Sequence, residues 1–193
     1  MISPNEYGQL MNARDAAETI SQSEYGLHCL LIYRDLDTLR EFYSNYVPKQ
    51  INDNELIQIL PFYETENSVR EILSKNKTGN LDIVKQEEKS LIIVDSLRGY
   101  LDHDDVESIW KNIEESVKYA EEIGKKGISI LGDAGSFLFK HKIQYLLDYE
   151  SSLPLKFDNN LKGICMYHQK DFSKISKDFQ QKILDSHAMA IMI

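Results

Sequence analysis

The chain has 193 residues, 42% of them hydrophobic and 27% charged, which is the balance of a globular protein long enough to bury a core without disulfide bonds. Its formal net charge of -9 at pH 7 argues against a nucleic-acid backbone or an anionic membrane surface as a partner. The apolar runs are too short for a membrane span and the acidic N-terminus lacks a secretory signal pattern, so we predict one cytoplasmic domain over residues 1–193.

The first predicted elements are a helical extension and a strand that runs directly into a helix. Residues 1–24 are expected to pack a helix on the core, because apolar side chains recur at helical spacing after Asn12. The apolar run at 27–33 predicts a buried strand. The following helix is expected to be capped by Asp35 and to end just before Pro48, since proline cannot continue a helix without losing a hydrogen bond.

The rest of the chain alternates between short apolar runs and patterns of helical period. The clearest helix is predicted at 106–124, with Asp104 or Asp105 as its cap and Gly124 at its end. Other helices are predicted at 68–75, from Phe139 to about Glu150, and through 175–183. The apolar runs predicted as strands are 27–33, 55–60, 90–94, 127–131, 163–167 and 188–193. This alternation predicts a three-layer α/β fold, a mostly parallel sheet with helices on both faces.

Ligands of open parallel sheets usually bind beyond the carboxyl ends of the strands, where loops and helix N-termini meet. The residues at these ends are therefore the candidates for binding a ligand. They are Tyr33, Arg34, Asp95, Ser96, Arg98, Gly132, Asp133 and Tyr167.

The run at 91–96, LIIVDS, has the form of a Walker B strand, in which a carboxylate follows four apolar residues. That motif functions beside a Walker A loop, but no GxxxxGK[ST] sequence is present. The turn at 34–37 has no glycine and carries two carboxylates that would repel phosphate. We therefore do not expect ATP hydrolysis by a P-loop mechanism.

The turn at 131–136 is the glycine-rich connection between a predicted strand and a helix. Its backbone amides are suited to an anion, but Asp133 disfavours one. The alternative is a tight turn with Ser136 as the helix cap.

The histidines and cysteines show no metal-binding spacing, and we predict no metal ion and no cofactor. No HxH, HExxH or CxxC pattern occurs, and Cys29 and Cys165 lie in apolar runs as buried thiols. Glu150 follows an apolar segment, and we expect it to be partly buried and paired with Arg34, Arg98 or a backbone group.

Five phrases of the chain resemble, in order and spacing, the MEDS domain, the methanogen/methylotroph DcmR-like sensory domain. They are GLHCLLIY at 26–33, SLIIVDSLRGYL at 90–101, YLLDYE at 145–150, GICMYHQKDF at 163–172 and ILDSH at 183–187. The resemblance spans residue 13 to the C-terminus. The positions of the family pattern are His28, Tyr33, Tyr100, Glu150, Cys165, Tyr167, Phe172 and His187.

This resemblance implies a RecA/KaiC-type core that has lost its P-loop and serves signal-responsive regulators and sensor kinases. The family's Gly-Leu-x-x-Gly-Glu turn is replaced here by residues 47–55, in which Glu55 stands for the glutamate and the glycines are absent. We expect no output module after the last predicted strand, so a sensory role implies a regulatory protein partner such as a sensor kinase or a transcription regulator.

Three functional hypotheses follow. The first is a non-catalytic sensory domain that binds a small molecule or a regulatory protein. The second is an enzyme or nucleotide-binding protein that uses the strand ends around Asp95 and Gly132, with Asp95, Asp133 and Tyr167 converging on one pocket. The third is a homo-oligomeric scaffold.

Overall fold

Seven parallel strands form one sheet in the computed structural model of the chain, which describes residues 8–75, 90–102 and 105–193. The strands are β1 (Gln9–Leu10), β2 (His28–Tyr33), β3 (Glu55–Leu60), β4 (Leu91–Ile93), β5 (Gly127–Asp133), β6 (Leu161–His168) and β7 (Met189–Met192). Their order across the sheet is β1-β7-β2-β6-β5-β3-β4, and every neighbouring pair is parallel.

Helices cover both faces of this sheet. They are α1 (Ala13–Gln22), α2 (Leu36–Asn52), α3 (Glu66–Lys75), α4 (Ser96–Leu101), α5 (Val106–Glu122), α6 (Gly135–Phe139), α7 (Ile143–Ser152), α8 (Gln169–Phe172) and α9 (Lys177–Asp185). The first three pack on one face and the other six on the opposite face. The predicted three-layer α/β fold is therefore confirmed. None of the helices in the described ranges is long and apolar enough to cross a membrane.

The start of α2 was predicted correctly and its end was not. Asp35 caps the helix and accepts a hydrogen bond from the Thr38 backbone N–H at 2.9 Å. The helix continues through Pro48 to Asn52, because Ile51 continues past the proline the buried apolar side to which Val47 belongs. Burial of these side chains offsets the loss of the helical hydrogen bond that proline, without a backbone N–H, cannot donate.

Two other predicted helix boundaries differ in the structure. Ser136 is not a cap: α6 begins after Ala134, and the Ser136 hydroxyl is buried inside the helix. The apolar pattern from Phe139 to Glu150 belongs to two helices rather than one, because the chain turns at His141, which has a positive φ of 55°. The predicted cap Asp105 is confirmed, whereas Asp104 lies outside the described residues.

A buried ion pair connects β3 to β6 on the side of α1 and α2. Lys162 Nζ lies 3.1 Å from Glu55 Oε1 and also donates to the Ser21 carbonyl at 3.0 Å. The other oxygen of Glu55 accepts hydrogen bonds from Gln50 at 2.9 Å and Ser129 at 2.8 Å. Glu55 thus forms part of the hydrogen-bonded interior, and its correspondence to the glutamate of the family turn stays a prediction.

Candidate functional site

An open pocket of about 650 Å³ lies at the carboxyl ends of β3, β5 and β6, and we call it the strand-end pocket. Phe62 and Tyr63 follow β3 and form one wall, while Phe139 from α6 and Phe179 from α9 contribute further aromatic rings. The Phe62 ring centroid is 5.7 Å from that of Phe139 and 4.8 Å from that of Tyr63. Phe139 is 61% exposed although it is a large apolar residue.

One side of the strand-end pocket is polar. Asp171 accepts a hydrogen bond from the Tyr63 hydroxyl and forms an ion pair with Lys174 at 2.7 Å. Burial works to raise the pKa of Asp171, but the hydrogen bonds from Lys174 and Tyr63 outweigh it and hold that pKa below its ordinary value. The pocket therefore combines aromatic walls with one fixed carboxylate and its cation.

Tyr33 and Asp133, two of the predicted candidates, meet beside this pocket. The Tyr33 hydroxyl donates to Asp133 Oδ2 at 2.6 Å, and the Gly135 N–H donates to Oδ1 at 2.8 Å. Burial raises the pKa of Asp133 to about 7, although both hydrogen bonds work to lower it. The last residue of β2 therefore belongs to a buried tyrosine–carboxylate pair. In the turn between β2 and α2, Asp35 serves as the helix cap.

The other candidates lie elsewhere. β4 is the edge strand, four positions from β2, so Asp95 is remote from Tyr33 and serves as the exposed cap of α4. Arg98 borders a separate cleft of about 440 Å³ between α4 and α5. Arg34 is exposed, and Ser96 is buried within α4. Their role in binding a ligand stays a prediction.

The side chain of Tyr100 explains why a glycine stands at position 132. A Cβ atom built on Gly132 would lie 1.7 Å from the Tyr100 hydroxyl oxygen. The position is therefore closed to any side chain while Tyr100 occupies that space. Tyr100 itself is buried against Phe137, with the ring centroids 4.9 Å apart.

The predicted convergence of Asp95, Asp133 and Tyr167 on one pocket does not occur. The Asp95 carboxylate accepts from the backbone of its own helix, Asp133 accepts from Tyr33, and Tyr167 donates to Glu150. The enzyme hypothesis based on these three side chains therefore loses its geometric basis.

Four residues of the family pattern instead come together in the layer of α7 and α9, and we call them the His–Cys–Glu cluster. His28 lies on β2, Cys165 on β6, Glu150 on α7, and His187 just before β7. All four are buried, and one ligand atom from each lies within 4.8 Å of those of the others. Glu150 is thus fully rather than partly buried, and it has histidines and a tyrosine around it rather than the predicted Arg34, Arg98 or backbone group.

Distances within the His–Cys–Glu cluster are short. His28 Nε2 lies 3.5 Å from Cys165 Sγ and 4.0 Å from Glu150 Oε2, and His187 Nε2 lies 3.5 Å from the same Glu150 oxygen. The two imidazole ring centroids are 3.9 Å apart. Tyr167 donates its hydroxyl proton to the other oxygen of Glu150.

Burial determines the protonation of this cluster. It lowers the pKa of His28 to about 4 and that of His187 to about 3, so both rings are neutral at pH 7. It also raises the pKa of Glu150 to about 7 and that of the Cys165 thiol well above its usual range. The cluster therefore presents two neutral imidazoles next to two groups that burial tends to keep protonated.

Sequence reasoning identified these four residues through the family pattern but not their proximity. The ligand atoms come from two strands, one helix and the segment before β7, so no short spacing reveals the cluster. The neighbour order of β2, β6 and β7, which brings three of them together, is not encoded in the local hydrophobic pattern.

Comparison with known proteins identifies the family. No curated protein and no solved structure matches the chain, so its likeness to a RecA/KaiC-type core stays a prediction. One family model, described as the MEthanogen/methylotroph, DcmR Sensory domain (MEDS), matches residues 27–188. The match covers most of the chain and includes every residue of the His–Cys–Glu cluster. The chain therefore belongs to the MEDS family of sensory domains.

Proposed function

We propose that this sensory domain detects a small, largely apolar molecule that binds in the strand-end pocket. The observation that carries the proposal is the exposed ring of Phe139, which faces a concave, aromatic-lined space at the carboxyl ends of the strands. Ligand sites are typically concave and mostly apolar, with a few fixed polar groups, and have volumes of roughly 300–1,000 Å³.

The chemistry of the pocket favours an apolar ligand with one polar group. Phe62, Phe139 and Phe179 offer ring faces and edges for packing. Asp171 and Lys174, which already pair with each other, offer a hydrogen-bond acceptor and donor at one side. A polyphosphate is disfavoured because Asp171 lies at this side and the chain has no P-loop.

We infer that the domain acts without catalysing a reaction and passes its signal to a regulatory protein. Support for the first part comes from the separate hydrogen bonds of Asp95, Asp133 and Tyr167, which leave no assembled catalytic group among them. Support for the second comes from the sensory character of the family. Helices α6, α7, α8 and α9 border the pocket and are the elements whose packing a bound ligand would alter.

Fluorescence titration with anilinonaphthalene sulfonate, a dye with an apolar ring system, tests the pocket. We expect Phe139→Ala to weaken dye binding by up to about tenfold, since an aromatic pair contributes roughly 0.5–1.5 kcal/mol. Leu155→Ala is the matched control, because Leu155 is 55% exposed but does not line the strand-end pocket. We expect its dissociation constant to stay within twofold of wild type.

A panel of small alcohols, aromatics and halogenated hydrocarbons should then displace the dye from wild-type protein. Equal weakening by both substitutions, or the absence of saturable dye binding, would contradict the proposal. Displacement by ATP rather than by apolar compounds would favour the nucleotide-binding alternative.

A further inference from the structure

Two buried atoms of the His–Cys–Glu cluster, one on His187 and one on Glu150, face each other without a hydrogen bond between them. His187 Nδ1 lies 2.6 Å from the Ile183 carbonyl, which only accepts, so Nδ1 carries the ring proton and Nε2 presents a lone pair. That lone pair lies 3.5 Å from Glu150 Oε2. Neither atom has a hydrogen-bond partner among the described residues, and both are buried. A positive species between them would satisfy both atoms.

Two of the distances in the cluster match the spacing of ligand atoms around a tetrahedral metal ion, and the longer ones would have to shorten when the ion binds. Zinc binds sulfur at about 2.3 Å and nitrogen or oxygen at about 2.0–2.1 Å, which places tetrahedral ligand atoms about 3.3–3.6 Å apart. The contacts of Cys165 with His28 and of His187 with Glu150 are both 3.5 Å. The contact between His28 and Glu150 is 4.0 Å, and all four ligand atoms lie within 4.8 Å of one another.

The donor set also matches a divalent transition metal in charge and softness. A thiolate and a carboxylate bring two negative charges, and two neutral imidazoles bring none, so a divalent ion makes the buried site neutral overall. Thiolate and imidazole donors select zinc and similar ions over magnesium or calcium, which prefer oxygen ligands.

The groups around two of the four ligands, His187 and Glu150, are arranged as in known metal sites. A metal-bound histidine usually donates its second N–H to a carbonyl or carboxylate, and His187 does so to Ile183. Ligating carboxylates are usually hydrogen-bonded in turn, and Glu150 accepts from Tyr167. These contacts orient His187 and Glu150 toward the centre of the cluster.

We propose that His28, Glu150, Cys165 and His187 bind a divalent transition metal ion, best matched by zinc, in a closed four-ligand site. With all four positions filled by protein, the site has no open place for a substrate and would stabilise the fold. None of the four residues lines the strand-end pocket, so this proposal does not depend on the proposed ligand.

Metal content and cobalt spectroscopy test the site. We expect about one zinc per chain by mass spectrometry after expression in zinc-supplemented medium. Cobalt(II) added to EDTA-treated protein should give the visible bands of tetrahedral cobalt and a thiolate-to-cobalt charge-transfer band. Cys165→Ser should remove the charge-transfer band. The matched control is Cys29→Ser, since Cys29 is also a buried thiol but lies outside the cluster.

Thermal unfolding of the wild-type protein provides a readout that needs no variant. Zinc at a hundredfold excess over its dissociation constant should raise the melting temperature by about 5–10 °C relative to EDTA-treated protein. The proposal is overturned if wild-type protein retains no metal and its melting temperature does not change when zinc is added. A proton on Glu150, rather than a metal ion, would then account for the contact between Glu150 and His187. Persistence of the charge-transfer band in folded Cys165→Ser would overturn the assignment of that ligand.

Discussion

Removal of the ammonium group of Lys162 should destabilise the protein far more than removal of an exposed lysine. Lys162→Met keeps most of the side-chain volume but leaves Glu55 Oε1 without its cation, while Gln50 and Ser129 still donate to Oε2. Both partners of the pair are 4% exposed, so little solvent is available to replace the lost contact.

The expected loss in the free energy of unfolding is about 3–5 kcal/mol, which is typical when one member of a buried ion pair is removed and the other charge stays buried. For a chain of this length, 1 kcal/mol corresponds to about 2–4 °C in melting temperature. The melting temperature of Lys162→Met should therefore fall by about 6–20 °C.

Urea unfolding followed by circular dichroism measures this loss. The matched control is Lys75→Met, because Lys75 pairs with Glu71 on the surface of α3, where the two side chains are 70% and 66% exposed. We expect no measurable change for that variant, since solvent screens exposed pairs. The double variant Lys162→Met/Glu55→Gln should recover at least half of the loss, because no buried charge is then left unpaired.

A loss below about 1 kcal/mol for Lys162→Met would refute this reasoning, because it would mean that Glu55 is neutral or solvated in the folded protein. A double variant less stable than Lys162→Met would also refute it. The stability of the pair would then come from side-chain packing rather than from charge.

Two further predictions concern Asp133 and Pro48. The pKa of Asp133 rises from an ordinary 3.8 to about 7 on folding, so the folded state binds more protons than the unfolded state between these pH values. The free energy of unfolding should therefore fall by about 3 kcal/mol as the pH increases from 4 to 7. Asp133→Asn should remove this part of the pH dependence in urea unfolding. Asp95→Asn, which changes an exposed helix cap, should retain it. If the free energy of unfolding changed equally with pH in both variants, that would argue against a buried proton on Asp133. Pro48→Ala should raise the free energy of unfolding by about 1–2 kcal/mol, because it restores a backbone hydrogen-bond donor inside α2. A lower urea midpoint for this variant would contradict the prediction and would show that the proline ring packs favourably.

The sheet was largely predictable from the sequence because its strands are buried on both faces. Such strands are continuous apolar runs, and the prediction for 55–60 agrees with β3 at both ends. β1 was not predicted, since it has only two residues and both are exposed. The end of α2 was predicted wrongly because a local rule for Pro48 was outweighed by the burial of Val47 and Ile51.

The candidate sites were less predictable because they depend on which elements become neighbours. Phe139 and Phe179 are ordinary apolar positions of helical patterns, and nothing in the sequence shows that they border the same pocket. His28 and His187 are 159 positions apart in the chain, yet their rings are in contact because β7 pairs with β2. Strand order, rather than residue type, produces both sites.

The close approach of Tyr100 to Gly132 has a consequence for how the family varies. Because no side chain fits at position 132 while the tyrosine hydroxyl occupies that space, a relative that loses the tyrosine becomes free to carry alanine or serine there. A relative that retains the tyrosine is restricted to glycine. The two positions should therefore covary across an alignment of MEDS sequences, and their joint presence marks the chains in which α4 docks on β5 as it does here.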